Sequence, residues 1–213
     1  MGWDICGWIE CHEKYGERNW VPAVDLHFLY RERNYDAFGC LFGWQNYAQF
    51  RPIAASRGFP ADVSAEVKGD FMGYSETPGG LTWVTWAEIK AIDWEEEAEA
   101  ADSRIHKYQR AENGELIYEG KAVWDRDFAE LVDSQRMQTE GGIFQSLVEA
   151  MVGKPTYPEG QQWERDGIIY RAEKLKRKES LEGSDWNKVF AEMETLASHY
   201  GDAGVRLVVW FIV

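Results

Sequence analysis

Apolar stretches at both ends of the chain predict β-strands. Residues 3–11 are rich in Trp and Ile and predict a first strand, and Trp20 to Leu26 predict a second strand that pairs with it as a hairpin. Residues 205–213 (VRLVVWFIV) are almost entirely apolar, at odd and even positions alike. A strand that is apolar on both faces is covered on both sides, so we predict that this one lies in the interior of a sheet.

Apolar residues at helical spacing predict the helices near the N-terminus. Residues 33–42 carry aromatic and aliphatic side chains on one helical face, and Gly43 would end this helix. Ser64 could cap a short helix that contains Val67. Thr85 and Glu88 have the spacing of a capping box, which predicts the start of another short helix.

The second half of the chain mixes hairpin and helix signals. Asn113-Gly114 separates two strand-like segments and is a strong hairpin signal. We predict helices at 128–138 and 144–152, and a strand at 167–172 that runs into the basic stretch 174–178. The alternating lysines of that stretch favour an edge strand protected from aggregation, although they could also contact an anion. The clearest helix is predicted at 186–200, capped by Ser184 or Asp185.

These elements together predict an α+β fold. We expect a mixed, mostly antiparallel sheet that has the C-terminal strand in its interior and helices packed on it. The length of 213 residues suits a single domain, which could contain a helical insertion at about 125–160. The sequence has no internal repeats that would indicate a solenoid or propeller.

The net charge of −14 changes the list of expected partners. An acidic surface repels phosphates at long range, so we expect no DNA or RNA partner. No apolar stretch approaches the ~20 residues that span a bilayer, and the N-terminus does not resemble a secretory signal. We therefore expect a protein of the cytoplasm that does not bind membranes, and self-association into a homo-oligomer stays open.

The sequence contains no recognisable catalytic or metal-binding motif. Phosphate-binding loops, dinucleotide-binding glycine patterns and zinc-protease motifs are all absent, so we expect neither an enzyme nor a cofactor. Cys6, Cys11 and His12 are close in sequence, but residues five apart on a strand point to opposite faces. We therefore predict no metal site. Three cysteines form no disulfide framework, which is typical of a reducing compartment.

One segment differs from the acidic background. Residues 37–61 contain no Asp or Glu, although the chain has 37 acidic residues. The same segment carries Arg51 and Arg57 together with aromatic and amide side chains. Guanidinium groups bind phosphate and aromatic faces stack on bases, so the segment predicts a site for a phosphorylated ligand. The alternative is a buried segment in which both arginines pair with acids elsewhere in the chain.

The candidate site residues have distinct expected roles. Arg51 and Arg57 would hold phosphate, and Trp44 or Tyr47 would stack on a base. The remaining candidates would hydrogen-bond the edges of that base; they are Asn34, Tyr35 and Asn46.

Residues 33–94 resemble a family of uncharacterised phage and prophage proteins. The resemblance rests on the run RNYD at 33–36, the run F-x-PI-x-x-x-RG-x-P-x-DVS over 50–64 and the Trp-x-Thr-x-x-Glu pattern at 83–88. It implies a phage accessory protein in a host cytoplasm, with a role such as countering host defence. The loop at 74–80 departs from the Ser/His-rich stretch of the family, so no catalytic role is assigned to it.

Two hypotheses about function follow. In the first, the protein captures a small phosphorylated, nucleotide-like ligand, such as a cyclic nucleotide signal, and sequesters it. In the second, it inhibits a host defence protein by direct contact, using an acidic surface and exposed tryptophans.

Overall fold

A computed structural model of the chain describes residues 2–13, 20–122, 125–132 and 157–213. The chain groups into two compact units, the first with residues 1–46, 51–96 and 177–213 and the second with residues 47–50 and 97–176. Each unit contains one four-stranded antiparallel sheet. The predicted insertion at about 125–160 falls largely on residues 133–156, which lie outside the described residues.

The sheet of the first unit is built around the C-terminal strand. Its strands are β1 (Asp4–His12), β2 (Trp20–Asp25), β3 (Gly79–Thr85) and β8 (Val205–Ile212), in the order β2-β1-β8-β3. From position 205 to 211 every residue of β8 is buried, because β1 and β3 pair with its two edges and both of its faces are covered. The predicted interior position of this strand is confirmed.

Four α-helices among the described residues belong to the first unit. They are α1 (Tyr35–Phe42), α2 (Ala65–Met72), α3 (Trp86–Lys90) and α4 (Trp186–Tyr200). Short 3₁₀ helices lie at Leu26–Phe28, Arg177–Leu181 and Asp202–Gly204. The capping box of α3 and the Ser64 cap of α2 are present as predicted. Asp185 is the N-cap residue of α4, one of the two predicted positions, but its side chain makes no capping hydrogen bond.

The two faces of this sheet are covered differently. On one face, side chains of α1, α3 and α4 form the main core with Ile9, Leu207 and Phe211, and Trp186 at the start of α4 is fully buried in it. On the other face, Val67 of α2 packs with Val208 and Trp210. The hydrophobic effect thus explains why both faces of β8 are apolar except at Arg206, whose charge is paired with Glu10 and Asp62.

The sheet of the second unit has the order β5-β4-β7-β6. Its strands are β4 (His106–Arg110), β5 (Leu116–Lys121), β6 (Gln162–Arg165) and β7 (Ile168–Arg171). The Asn113-Gly114 turn joins β4 to β5 as predicted, and Gly114 has a φ of 83°. Residues 126–132 are helical, and Phe128 packs on Trp163 and Tyr170 in a small aromatic core.

Three sequence predictions differ from the structure or fall outside it. Strands β3 and β6 form where we predicted no strand. Strand β3 gains its hydrogen bonds from β8, which is distant in sequence, whereas β6 pairs with β7 across the two-residue turn Asp166-Gly167. The basic stretch 174–178 is not an edge strand: it contributes a single bridge, between Lys176 and Glu97, and continues into the 3₁₀ helix at Arg177. The helix predicted at 144–152 lies outside the described residues.

Candidate functional site

The acid-free segment folds back onto the end of helix α1. Gly43 takes the left-handed conformation there, with a φ of 71°, and ends the helix as predicted. The backbone N–H groups of Ile53 and Ala54 donate to the carbonyls of Cys40 and Leu41, with N···O distances of 3.1 and 2.8 Å. This contact places Arg51 immediately before a backbone segment that is anchored to a helix end.

Arg51 lies at the surface of the first unit. Its side chain is 67% exposed, and its Nη2 lies 2.8 Å from Oε1 of Glu96. A second arginine, Arg177, reaches the same carboxylate oxygen, with its Nη2 at 3.1 Å. We call Arg51, Arg177 and Glu96 the arginine cluster.

Arg177 is the buried member of the arginine cluster. Its side chain is only 3% exposed, and its Nη2 also donates to the backbone carbonyl of Arg51, at 2.9 Å. Nε and Nη1 are buried and have no hydrogen-bond partner among the described residues. A guanidinium carries five N–H donors, so much of its hydrogen-bonding capacity is unused here.

The surroundings of Arg177 offer little to those two nitrogens. The hydroxyl of Ser180 donates to the backbone carbonyl of Arg177, at 2.6 Å. The Cys40 thiol lies beside the guanidinium, and a thiol is only a weak acceptor. Burial raises the pKa of this thiol, against the lowering effect of Ser180 and Arg177, so Cys40 stays protonated and neutral near pH 7.

Glu96 remains ionised in the arginine cluster. The hydrogen bond from Arg177 lowers the pKa of its carboxyl group, and the charges of Arg177 and Arg51 act in the same direction. The carboxylate is 29% exposed, so one side of the arginine cluster faces solvent. Chemically, the arginine cluster is a pair of cations held on one anionic oxygen.

Arg57 has a different position from Arg51. Its guanidinium binds Glu88 at 2.9 Å and donates to the backbone carbonyls of Ile53 and Trp83, at 3.0 and 3.2 Å. Glu88 is also the capping-box residue of α3, where it accepts from the N–H and hydroxyl of Thr85. Arg57 therefore joins the acid-free segment to β3 and α3, as in the alternative that paired both arginines with acids.

Asn34 and Tyr35 have structural partners at the start of α1. The side-chain oxygen of Asn34 accepts from the backbone N–H groups of Asp36 and Ala37, and its Nδ2 donates to the carbonyl of Ser180. The hydroxyl of Tyr35 accepts a hydrogen bond from the N–H of Trp3. Asn34 is thus the N-cap of α1, and it also connects this helix to the 3₁₀ helix that carries Arg177.

The other candidate residues are packed against protein groups. The ring of Trp44 stacks on Phe211, with centroids 4.9 Å apart and planes inclined by 8°. Asn46 packs directly against Gly39: a Cβ added to Gly39 would lie only 2.7 Å from Oδ1 of Asn46. Tyr47 belongs to the second unit, where the guanidinium of Arg104 lies 5.3 Å from its ring centroid.

The second unit contains a buried ionic network that the sequence did not indicate. The side chain of Asp102 is fully buried and binds Arg104 and Lys121, at 2.7 and 2.5 Å. Burial alone would raise the pKa of Asp102, but the hydrogen bonds and charges of His106, Arg104 and Lys121 outweigh it and hold the pKa well below its usual value. The only sequence signal was the four-residue spacing of Asp102 and His106.

His106 lies between two carboxylates of this network. Its Nδ1 is 3.1 Å from Oε2 of Glu173, and its Nε2 is 3.7 Å from Oδ2 of Asp102. Burial opposes the charged imidazolium, but Asp102 and Glu173 raise the pKa of His106 above its usual value. The hydrogen bond from His106, together with those from Tyr108 and Arg171, lowers the pKa of Glu173 to about 2. Because Nε2 is buried, this imidazole is not open to a substrate as a catalytic base.

Sequence reasoning noticed the residues of the arginine cluster but did not group them. Glu96 lies in the acidic run at 93–102, which we interpreted as a solvated helix end or a linker, and Arg177 was part of the predicted edge strand. Only a long-range contact, over 126 residues for Arg177 and Arg51, brings them together. Tryptophans proposed as an exposed interface are not exposed: all those in the described ranges are buried or half-buried.

Comparisons with known proteins do not assign this chain to a family. No family model, curated protein or solved structure matches it. Within the described residues no group of three or more His, Cys, Asp or Glu is placed to hold a metal ion. The helices of that part of the chain are also too short or too polar to cross a membrane.

Proposed function

We propose that this protein binds a small phosphorylated ligand, of nucleotide-like size, at the arginine cluster. One observation carries the proposal: two guanidinium groups meet at a single carboxylate oxygen, and the buried one keeps two nitrogens without a partner in the described residues. Buried polar groups are hydrogen-bonded in most proteins, so an unsatisfied guanidinium calls for an additional acceptor. A phosphate oxygen is the acceptor that guanidinium groups bind most strongly.

The charge distribution supports the same position. The protein has a net charge of −14, which repels an anionic ligand at long range. Arg51 lies within the segment that has no acidic residues, whereas Glu96 belongs to the acidic run at 93–102, and Lys178 next to Arg177 is paired with Glu95. The positive charge that offsets the repulsion therefore comes from the two guanidinium groups, of which Glu96 neutralises one.

The proposal does not include Arg57 and Trp44 as ligand contacts. Arg57 has its guanidinium committed to Glu88 and two carbonyls, and Trp44 is stacked on Phe211. We therefore assign the phosphate contact to Arg51 and Arg177 and leave base stacking out. In the phage setting implied by the sequence resemblance, capture of a phosphorylated signal would sequester it from a host system.

Calorimetry tests the proposal directly. The full chain is titrated with AMP, ADP-ribose and cyclic dinucleotides, and the Arg51→Ala variant is compared with wild type. Loss of a hydrogen bond to a charged group costs about 1.5–3 kcal/mol, so we expect binding to weaken roughly 10- to 150-fold. Arg33→Ala is the matched control, because it removes a side chain that is 51% exposed and paired with Asp4 elsewhere in the first unit.

Two outcomes would contradict the proposal. Wild type could bind no member of the panel, or Arg51→Ala could bind as tightly as Arg33→Ala while both stay folded. Either result would leave the arginine cluster as a structural feature and bring the protein-contact hypothesis forward.

A further inference from the structure

The carboxylate of Glu96 occupies the position that a ligand anion would take in the arginine cluster. Both arginines contact it through the same atom, Oε1, at 2.8 and 3.1 Å. A guanidinium binds an oxyanion best through two parallel hydrogen bonds, and a shared single oxygen gives neither arginine that geometry. The internal carboxylate therefore offsets one of the two positive charges and leaves hydrogen-bonding capacity of both guanidinium groups unused.

The backbone of Glu96 is fixed, whereas its carboxylate lies at the edge of the protein. Its N–H donates to the carbonyl of Asp93, and its own carbonyl accepts from the N–H of Arg177, at 3.3 and 3.0 Å. The carboxylate is 29% exposed, so a rotation of the side chain moves it into solvent without moving the chain. Arg177 cannot make the same movement, because its side chain is 3% exposed and anchored to the carbonyl of Arg51.

We infer that Glu96 is an internal substitute for the ligand's anionic group, and that the ligand carries a terminal phosphate monoester. This inference rests on the proposed function and deepens it. Binding would exchange one anion for another: the Glu96 carboxylate swings out, and a phosphate takes its place between Arg51 and Arg177.

To displace Glu96, a ligand needs a minimum affinity for the two arginines, and whether it reaches that affinity depends on its chemistry. A tethered group competes at an effective concentration in the millimolar range, so a free ligand must bind the arginines better than Glu96 does. A carboxylate ligand offers the same two oxygens and gains nothing. A phosphodiester has one negative charge and two free oxygens, which is also no improvement.

A phosphate monoester differs from both in charge and in oxygen count. It carries about −1.5 to −2 charges near pH 7 and presents three acceptor oxygens. Two of its oxygens can accept the two parallel hydrogen bonds of Arg51, and the third can accept from Nη2 of Arg177, the nitrogen that contacts Glu96 in the structure. The class of ligand is therefore a nucleotide or sugar with a terminal phosphate, rather than a cyclic dinucleotide.

A pair of matched probes tests the inference. AMP has a terminal monoester, and cyclic AMP has the same base and sugar with a diester. Calorimetry on the full chain should detect AMP and should find cyclic AMP and acetate at least tenfold weaker. Glu96→Gln should bind AMP about tenfold more tightly, the scale of one charge-assisted hydrogen bond. The ratio of AMP to cyclic AMP affinity should stay constant, since the same carboxylate leaves for either ligand.

Glu95→Gln is the control, because it removes the neighbouring acid, which pairs with exposed Lys178. This variant should bind AMP as wild type does. If Glu96→Gln does not fold, the pH dependence in wild type replaces it: AMP affinity should rise as the pH passes the second phosphate pKa near ~6.

The outcomes separate the inference from the proposed function. If wild type binds cyclic AMP as tightly as AMP, or if AMP affinity does not rise with pH, the monoester class is wrong although the binding site stands. If Glu96→Gln leaves AMP affinity unchanged, the internal substitute is wrong. If neither AMP nor any other phosphate binds wild type or Glu96→Gln, the proposed function itself fails.

Discussion

Two buried arginines of the first unit differ in how completely their hydrogen bonds are satisfied. Arg206 is 2% exposed and Arg177 is 3% exposed. Every nitrogen of Arg206 has an acceptor: Nε binds Glu10 at 2.8 Å, Nη1 binds the carboxylate of Asp62 at 2.6 Å, and Nη2 binds the carbonyl of Asp62 at 3.1 Å. Its guanidinium also lies 3.7 Å from the ring centroid of Trp20. Arg177 uses Nη2 alone.

The difference distinguishes a charge network in which every guanidinium nitrogen has an acceptor from one in which some nitrogens have none. Glu10 is fully buried, and its second oxygen accepts from the N–H of Ser64 at 2.9 Å. The Arg206 network thus joins β8, β1 and the segment before α2 and leaves no group for a ligand. The arginine cluster has a partly exposed carboxylate and two buried nitrogens without a partner among the described residues, and the proposed phosphate site rests on this difference.

The same contrast separates the two arginines of the acid-free segment. Arg57 is 27% exposed and binds three protein groups, whereas Arg51 is 67% exposed and binds one carboxylate. Six residues of separation made them look equivalent in the sequence. Their tertiary partners differ, because Arg57 joins three protein groups and Arg51 makes one ion pair at the surface.

The largest expected effect comes from a substitution that breaks the Arg206 network. Glu10→Gln leaves Arg206 as a buried cation with one weakened partner, and breaking a buried ion pair costs about 3–5 kcal/mol. We expect a loss of that size in the free energy of unfolding, measured by urea denaturation. Asp4→Asn is the control: its pair with Arg33 is exposed, so the loss should stay within about 1 kcal/mol. Equal losses in the two variants would mean that the Arg206 network is not a main stabilising element.

A second test compares the two arginines directly. Arg57→Ala removes an ion pair and two hydrogen bonds to backbone carbonyls, so we expect a loss of about 1–3 kcal/mol in unfolding free energy. Arg51→Ala removes one exposed pair and should cost at most about 1 kcal/mol. Thermal or urea unfolding of both variants measures the difference. A loss for Arg51→Ala that matches or exceeds that of Arg57→Ala would contradict the division into structural and exchangeable arginines.

The smallest expected effect concerns the second unit, where His106 also has a buried nitrogen without a partner among the described residues. Its pKa is raised in the folded state, so protonation stabilises the fold below the unfolded pKa of about 6.5. That contribution is lost as the pH rises through the folded pKa. We therefore expect the stability advantage of wild type over His106→Gln to shrink from pH 5.5 to pH 8.5, measured by urea unfolding.

Glu173 does not disturb this test. Its pKa is lowered to about 2, so its contribution is present above about 4.3 and is lost only at more acidic pH, outside the measured range. His27→Gln, which removes an exposed histidine of the first unit, is the control. An advantage of wild type that grows with pH would show that the imidazole is buried neutral rather than charged.

The sequence by itself determined the elements whose signals act over a few residues. Gly43 ends α1 as predicted. Thr85 and Glu88 form the predicted capping box, and Asn113-Gly114 forms the predicted hairpin. The two-sided apolarity of residues 205–213 was enough to predict an interior strand, because burial on both faces leaves a pattern in one short segment.

Only the tertiary structure decided how the chain divides and which charges meet. Strand β3 exists because β8, which is distant in sequence, supplies its hydrogen bonds, and the two sheets belong to separate units. The acid-free segment could be found by composition, but its partner could not. Pairing of Arg51 and Arg177 on Glu96 depends on contacts across 45 and 126 residues, and charged side chains carry no local signal of the partner they will meet.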